Sequence, residues 1–285
     1  MKDIKKEFIK HCEGRTKYLG HNKASTYDDT TLFCTAGMQA FKHMFKDPEA
    51  ANIEFANIQD CIRLNDLASL HDNTHHAFFQ MLGFFSFRSC SVPSAILFWK
   101  NFLKEKLSLD FSGPNDYVTI HPEKYKEWRP FYNWLPDDKV IMDSECIWSD
   151  GDISGYCTEF YINGIEVGNI VNPLGHSIDC GFGLERLEIV TGVTPKTEAQ
   201  KLEDVILNIC DLGVHPGNKE QAYALRKLLR LAYKKNYQIP HIFYNEEISR
   251  QTKLRNQYEV MKHKFAHKPK EWWLDTHGID LDLIT

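Results

Sequence analysis

The chain has 285 residues, 42% hydrophobic and 26% charged, with a formal net charge of −5. That is the make-up of a globular protein with room for one large domain, or a large domain and a small appendage. Its longest apolar runs, such as residues 95–99, are far too short to cross a bilayer, and the opening MKDIKKEFIK lacks the apolar segment of a signal peptide, so a cytoplasmic protein is expected. The eight cysteines (Cys12, Cys34, Cys61, Cys90, Cys146, Cys157, Cys180 and Cys210) are scattered without a CxxC pair. This spacing speaks against a zinc knuckle or a secreted disulfide framework, and most of them read as small buried apolar residues.

In chain order, Ile4, Phe8, Ile9 and Cys12 share one face of a predicted helix. A polar, turn-prone stretch over 20–30 leads into a short strand at 32–34. Residues 53–63 and 77–87 read as two extended, aromatic-rich runs, with 65–76 as a long hairpin loop between them. Ile96, Trp99, Leu103 and Leu107 recur at helical spacing over 94–107. Short strands are expected at 117–120 and 140–142. Two more, 157–162 and 166–171, are joined by the Asn163-Gly164 turn signal. Residues 178–180 enter a glycine-rich turn, and a helix over 184–190 leaves it. From Thr197 onward the pattern is helical. The prediction is an α+β domain over 1–195, a mainly antiparallel sheet flanked by helices, followed by a helical appendage over 196–285.

Charge divides the same way. Between Lys219 and Lys270, thirteen Lys or Arg stand against four Glu, a balance of +9 that leaves −14 for the rest. A basic segment on an acidic body fits contact with a polyanion; a solvated helical face is the bland alternative.

Four segments carry the chemistry. In Asp179-Cys180-Gly181-Phe182-Gly183-Leu184-Glu185-Arg186, two glycines allow close backbone approach before a helix, and Arg186 can aim a planar cation at phosphate or a base. Arg63 closes one extended run, and His75, His76, Phe78 and Phe79 open the next. Such an Arg can clamp a phosphate, while Phe79 stacks on a purine and Phe78 turns to the core. Without the Arg and His beside them, the two Phe would read as plain core. In Ile147-Trp148-Ser149-Asp150-Gly151-Asp152, followed by Cys157-Thr158-Glu159, an aromatic wall near carboxylates suits a small side chain and an ammonium group. Read alone, Asp150 and Asp152 would be turn acids around Gly151. Last, in Glu166-Val167-Gly168-Asn169-Ile170-Val171, Asn169 is either a ligand-facing amide or a strand residue bonded to backbone.

Taken in their order along the chain, the segments resemble the catalytic core of class II aminoacyl-tRNA synthetases, in the alanyl-tRNA synthetase form. Residues 179–186 match the D-x-G-x-G-L-E-R of motif 3, and 62–83 look like motif 2. Residues 147–159 are similar to F-W-x-M-G-D…G-x-C-S-E, and 166–171 to E-I-W-N-x-V. The run 31–42 is similar to T-L-L-F-T-N-A-G-M-x-x-F-K, and 213–230 to the family element that faces the tRNA acceptor stem.

The resemblance implies activation of a small amino acid, alanine favoured, with ATP and Mg²⁺ as an aminoacyl-adenylate, then transfer to tRNA. It assigns catalysis to Arg63 and Arg186, and ATP to Arg63, His75, Phe79, Glu159, Gly183 and Arg186, with Glu159 also the metal ligand. The amino acid falls to Trp148, Asn169, Val171, Asp179 and Gly181, and tRNA to Asn218, Arg226, Arg230 and Lys234. The run 31–42 would serve structure and subunit contact in a homodimer. Two alternatives are a biosynthetic adenylating enzyme with a carrier protein or small molecule as acceptor, and an inactive paralogue that binds RNA.

The chain departs from the family in several places. The motif 2 loop lacks the Gly-Gly-Lys stretch, and Gln80 stands for a Glu. Arg88-Ser89-Cys90 replaces Gly-Asp-Tyr, Gly168 replaces a Trp, and Asn172-Pro173 an apolar continuation. These changes are expected to border the pocket. No editing or carboxy-terminal dimerisation domain is expected.

Overall fold

The computed structural model describes residues 2–27 and 30–284, in two units, Met1–Pro195 and Lys196–Thr285. In the first, α1 (Ile4–Cys12) begins where the Asp3 carboxylate accepts the Lys6 N–H, an N-cap that satisfies one free helix donor. Then come β1 (Lys17–Asn22), β2 (Ile53–Ile62), β3 (Phe78–Phe87), α2 (Val92–Asn101), β4 (Tyr117–Ile120), α3 (Pro122–Trp128) and β5 (Val140–Met142). After these follow β6 (Ile147–Asp150), β7 (Ile153–Ile162), β8 (Ile165–Pro173), β9 (Ser177–Gly183) and α4 (Leu184–Val190). The nine strands form one sheet in the order β1-β2-β3-β9-β8-β7-β4-β5, with β6 paired to β7. Only β1–β2 and β4–β5 are parallel. This is the mainly antiparallel α+β sheet flanked by helices that the sequence leads one to expect.

Three local expectations fail. The stretch read as turn-prone from residue 20 starts inside β1, where Gly20, at φ 112, sits in a register shift between Tyr18 and His21; Asp28 and Asp29 lie outside the described residues. Residues 32–34 form no strand. The Thr31 hydroxyl donates to the Phe33 carbonyl (2.8 Å), the Thr35 N–H donates to Gln39 Oε1 (2.6 Å), and a 3-10 helix follows over Gly37–Phe45. Phe78, expected in the core, is only half-buried at the start of β3.

Side chains alternate faces along a strand, so β3, β9 and β8 separate a core from an open face. Leu82, Phe84, Ile170, Cys180 and Phe182 join the core with residues of α1 and α2. Trp99 of α2 stacks on Phe182 with ring centroids 3.7 Å apart, and Phe8 of α1 stacks on Trp99 at 5.6 Å. Phe160, Gly168 and Phe182 stand side by side on three neighbouring strands. With no side chain at 168, the two Phe rings approach to 5.4 Å. Gly168 therefore turns its missing side chain to the core, while its backbone lines the smaller of the two cavities on the open face, so this departure does border the pocket.

In the second unit, α5 (Glu198–Asp211) opens with a reciprocal capping box between Thr197 and Gln200, followed by α6 (Glu220–Lys234), α7 (Ile242–Met261), α8 (Lys270–His277) and α9 (Leu281–Ile284). Ala224, Leu225, Leu228, Leu229 and Ala232 are the buried stripe of α6. Glu247 of α7, 4% exposed, is held by Arg250 at 2.6 and 2.8 Å and by Gln251 at 2.6 Å. Trp273, Ile279, Tyr258 and Phe265 pack together around α8, which ends at Gly278 in the left-handed region.

A Cβ at residue 168 would lie 2.3 Å from Phe182 Cγ. Gly168→Ala should thus cost about 1–3 kcal/mol, as overpacking does. Urea unfolding measures it; an unchanged midpoint would show that the Phe182 ring yields freely.

Candidate active site

The open face of β3, β9 and β8 carries two cavities. The larger, about 790 Å³, is lined by Trp148, Asn169, Val171, Asp179 and Gly181. The smaller, about 140 Å³, is lined by Arg63, His75, Phe79, Gly183 and Arg186. Arg63, Asp66, Met81, Asn169 and Gly181 border both.

Strand register explains the grouping. Asn169 lies opposite Gly181 and Val171 opposite Asp179, so all four share a face. Met81 crosses Gly181 closely: a Cβ there would lie 2.6 Å from Met81 Sδ, so any larger residue would displace the Met81 side chain. Trp148 comes from β6 and packs on Cys146, Cys157 and Val171.

The charges are split between the two ends. Asp179 is 8% exposed, and no hydrogen bond or ion pair holds its carboxylate among the described residues. Burial pushes its pKa up to about 7. Asp150 is compensated by Lys42 at 2.8 Å. Arg63, where both cavities meet, donates its backbone N–H to the Ala77 carbonyl and Nε to the Thr35 carbonyl, each at 2.8 Å. Its guanidinium lies 4.9 Å over the Phe79 ring, covering a face that the sequence offered to a purine. Arg186 Nη1 donates to the Glu166 carbonyl (2.8 Å) and Oε2 (3.0 Å), and His75 Nδ1 lies 2.5 Å from Asp72 Oδ2.

The family profile of class II (A) tRNA synthetases matches residues 3–205. The chain belongs to the class II tRNA synthetases. It is 26% identical over 306 residues to the alanine–tRNA ligase of Buchnera aphidicola subsp. Baizongia pistaciae, covering 80% of this chain and 35% of that protein. With the alanine–tRNA ligase of Francisella philomiragia it shares 29% over 308 residues, covering 81% and 35%. With that of Ehrlichia chaffeensis it shares 37% over 147 residues, covering 47% and 16%. The chain thus spans about a third of the length of the first of these relatives. Among solved structures, apo Staphylococcus aureus histidyl-tRNA synthetase aligns with a TM-score of 0.42 at 10% identity, over 83% of this chain and 76% of that one. No helix among the described residues is long and apolar enough to cross a membrane.

Several residues of this class II core stand elsewhere than the motifs implied. Glu159 lines neither cavity. It lies opposite Asn169, one strand further out, where its Oε2 accepts from the Tyr161 hydroxyl at 2.8 Å. The run 31–42, expected to serve structure and subunit contact, packs Met38 and Phe41 into a core cluster and also supplies Thr31, Phe33, Thr35, Gly37 and Gln39 to the larger cavity. Met81 was also overlooked, although its place two residues after Phe79 on one strand puts both on the same face. In the second unit, Arg226 donates to the Asn218 side chain and Arg230 Nε lies 3.4 Å from Glu247 Oε1, while Lys234 is exposed.

Asp179 gives a pH test. Its folded pKa, about 7, lies above the ordinary 3.8, so the folded chain keeps a proton that the unfolded chain has released between those values. The stabilisation is complete below the unfolded pKa and is lost as pH rises through 7, at about 1.4 kcal/mol per pH unit at most. Asp179→Asn should remove this slope and leave the variant more stable than the wild type at pH 8. Parallel stability–pH curves for the two proteins would refute the burial of an unpartnered carboxylate.

Proposed function

We propose that this chain activates a small amino acid, alanine favoured, with ATP to give an aminoacyl-adenylate and transfers the aminoacyl group to tRNA. The observation that carries the reading is the shared wall at Arg63. One cavity holds an unpartnered buried carboxylate, the other a pair of arginines, and Arg63 borders both.

An α-amino acid matches this polarity. Its ammonium group would sit by Asp179 with Asn169 beside it, and its small side chain against Trp148 and Val171. Its carboxylate would then point toward Arg63, where the α-phosphate of ATP lies. The carboxylate oxygen attacks the α-phosphorus, the bond to the β-phosphate oxygen breaks, and pyrophosphate leaves. Negative charge on the phosphate grows in the transition state, and guanidinium groups already fixed in place stabilise it with little reorganisation. Arg186 would serve the nucleotide from the smaller cavity. An acceptor hydroxyl of tRNA then attacks the aminoacyl carbonyl, and AMP leaves.

Mg²⁺ would arrive with the ATP phosphates. Glu166 and Glu185 face the smaller cavity but are engaged by Arg186 and the Gln80 N–H. Asp66, on the border of both cavities, is the carboxylate placed to add a ligand to a phosphate-bound ion, and one or two protein carboxylates suffice for Mg²⁺.

Alanine-dependent ATP–pyrophosphate exchange tests the adenylation. Arg63→Ala should lower it on the order of 10²–10³-fold; turnover like the wild type's would sink the assignment. Transfer is read separately by tRNA charging. Binding of tRNA through the basic second unit should weaken steeply as salt rises, and salt-insensitive binding would contradict it.

A further inference from the structure

We propose that Cys146, Cys157 and Glu159 form a site for a borderline-soft divalent metal ion, zinc foremost, behind the wall of the larger cavity. The two cysteines are eleven residues apart in sequence, yet the β6–β7 hairpin brings them together. The Cys157 N–H donates to the Cys146 carbonyl at 2.9 Å. One ligand atom from each of the three residues lies within 4.8 Å of the others. Bonds of about 2.0–2.3 Å to oxygen and sulfur around a tetrahedral zinc require such a spacing.

The Thr119 hydroxyl hydrogen-bonds this group from the neighbouring strand. Thr119 Oγ1 stands 2.7 Å from Cys146 Sγ and 3.5 Å from Glu159 Oε2, and Cys157 Sγ stands 3.9 Å from Glu159 Oε1. Cys146, Cys157 and Thr119 are buried, at 0%, 2% and 3% exposure. Two sulfurs and a carboxylate select zinc over magnesium, which takes oxygen alone.

The surroundings want positive charge. Among the described residues no Lys, Arg or His pairs with Glu159 within 4.0 Å. A divalent cation would displace the thiol protons and be attracted to the Glu159 carboxylate.

The site would act on the pocket from outside it. Cys146 immediately precedes β6, which carries Trp148, and Cys157 packs with Val171, another wall residue. A bound ion would fasten the hairpin that holds Trp148, as a positioning device and not a reactant.

The test is titration of the intact, chelator-treated, reduced chain with Co²⁺, then Zn²⁺. The site predicts one equivalent of Co²⁺ with a thiolate-to-cobalt charge-transfer band, displaced by Zn²⁺ and untouched by Mg²⁺. Cys157→Ser should abolish the band. Glu159→Gln should weaken binding by about tenfold or more, at least the loss seen for groups that merely support a ligand. Cys146→Ser repeats the test should Cys157→Ser fail to fold. A folded chain that shows no thiolate band, binding unchanged in the variants, or a Cys146–Cys157 disulfide that re-forms in preference to metal would each overturn the proposal.

Discussion

A residue with no side chain sets the register on which the site depends. Across Gly168 the rings of Phe160 and Phe182 meet, and Trp99 closes over Phe182 from α2. Aromatic pairs of this kind contribute beyond the area they bury. The stack fits only if Phe160, Gly168 and Phe182 lie abreast. A slip of β8 by one residue would drive Asn169 into that stack and turn Ile170 toward the cavity, so the core aligns the polar wall. Where the family pattern places a Trp on β8, this chain fills the same space with rings from the two neighbouring strands.

That alignment creates a site polar along its length. Asp179 and Arg63 both line the larger cavity, and Lys42 neutralises another of its acids, Asp150. Arg63 is held from its backbone and its Nε, so its charge is oriented before any substrate arrives. The same tether lays its guanidinium over Phe79. That face of the ring is closed to a planar base while the guanidinium stays in place.

How legible this was depends on the type of signal. α1 falls where periodicity put it, because long side chains recurring at 3.6 residues report burial directly, and α4, β4 and β5 fall where short apolar runs beside turn signals put them. β6 carried no such signal: Ile-Trp-Ser-Asp is four residues of exposed and half-buried alternation, recognisable only by its pairing with β7. Leu32-Phe33-Cys34 misled for the opposite reason, since a short apolar run looks alike in a strand and in a buried loop. Arg63, Asn169, Asp179 and Arg186 reached the cavities because β2, β3, β9 and β8 are neighbours in the sheet, whatever their order along the chain. Glu159 did not, because a motif records neighbours along the chain and not which strand separates them. The Cys146–Cys157 contact was invisible to a spacing rule built on turns, since a hairpin joins residues at any separation.

The second unit shows why net charge is a poor guide to a binding face. Of the cations that give residues 219–270 their +9, Arg230 and Arg250 are spent on Glu247, a carboxylate buried to 4% exposure, and Arg226 on Asn218. Removing Arg230 or Arg250 strands a buried charge, so its loss would register as instability before it registered as weaker binding. Lys227, Lys234 and Lys253 are exposed, and α6 and α7 hold them outward through apolar stripes and the Glu247 cluster beneath. Contacts with a phosphate backbone must come from these outward cations, because only a charge still in water can exchange its counterions for phosphate. The number that matters for RNA is therefore smaller than the sequence count, and it is set by which arginines the fold has already used.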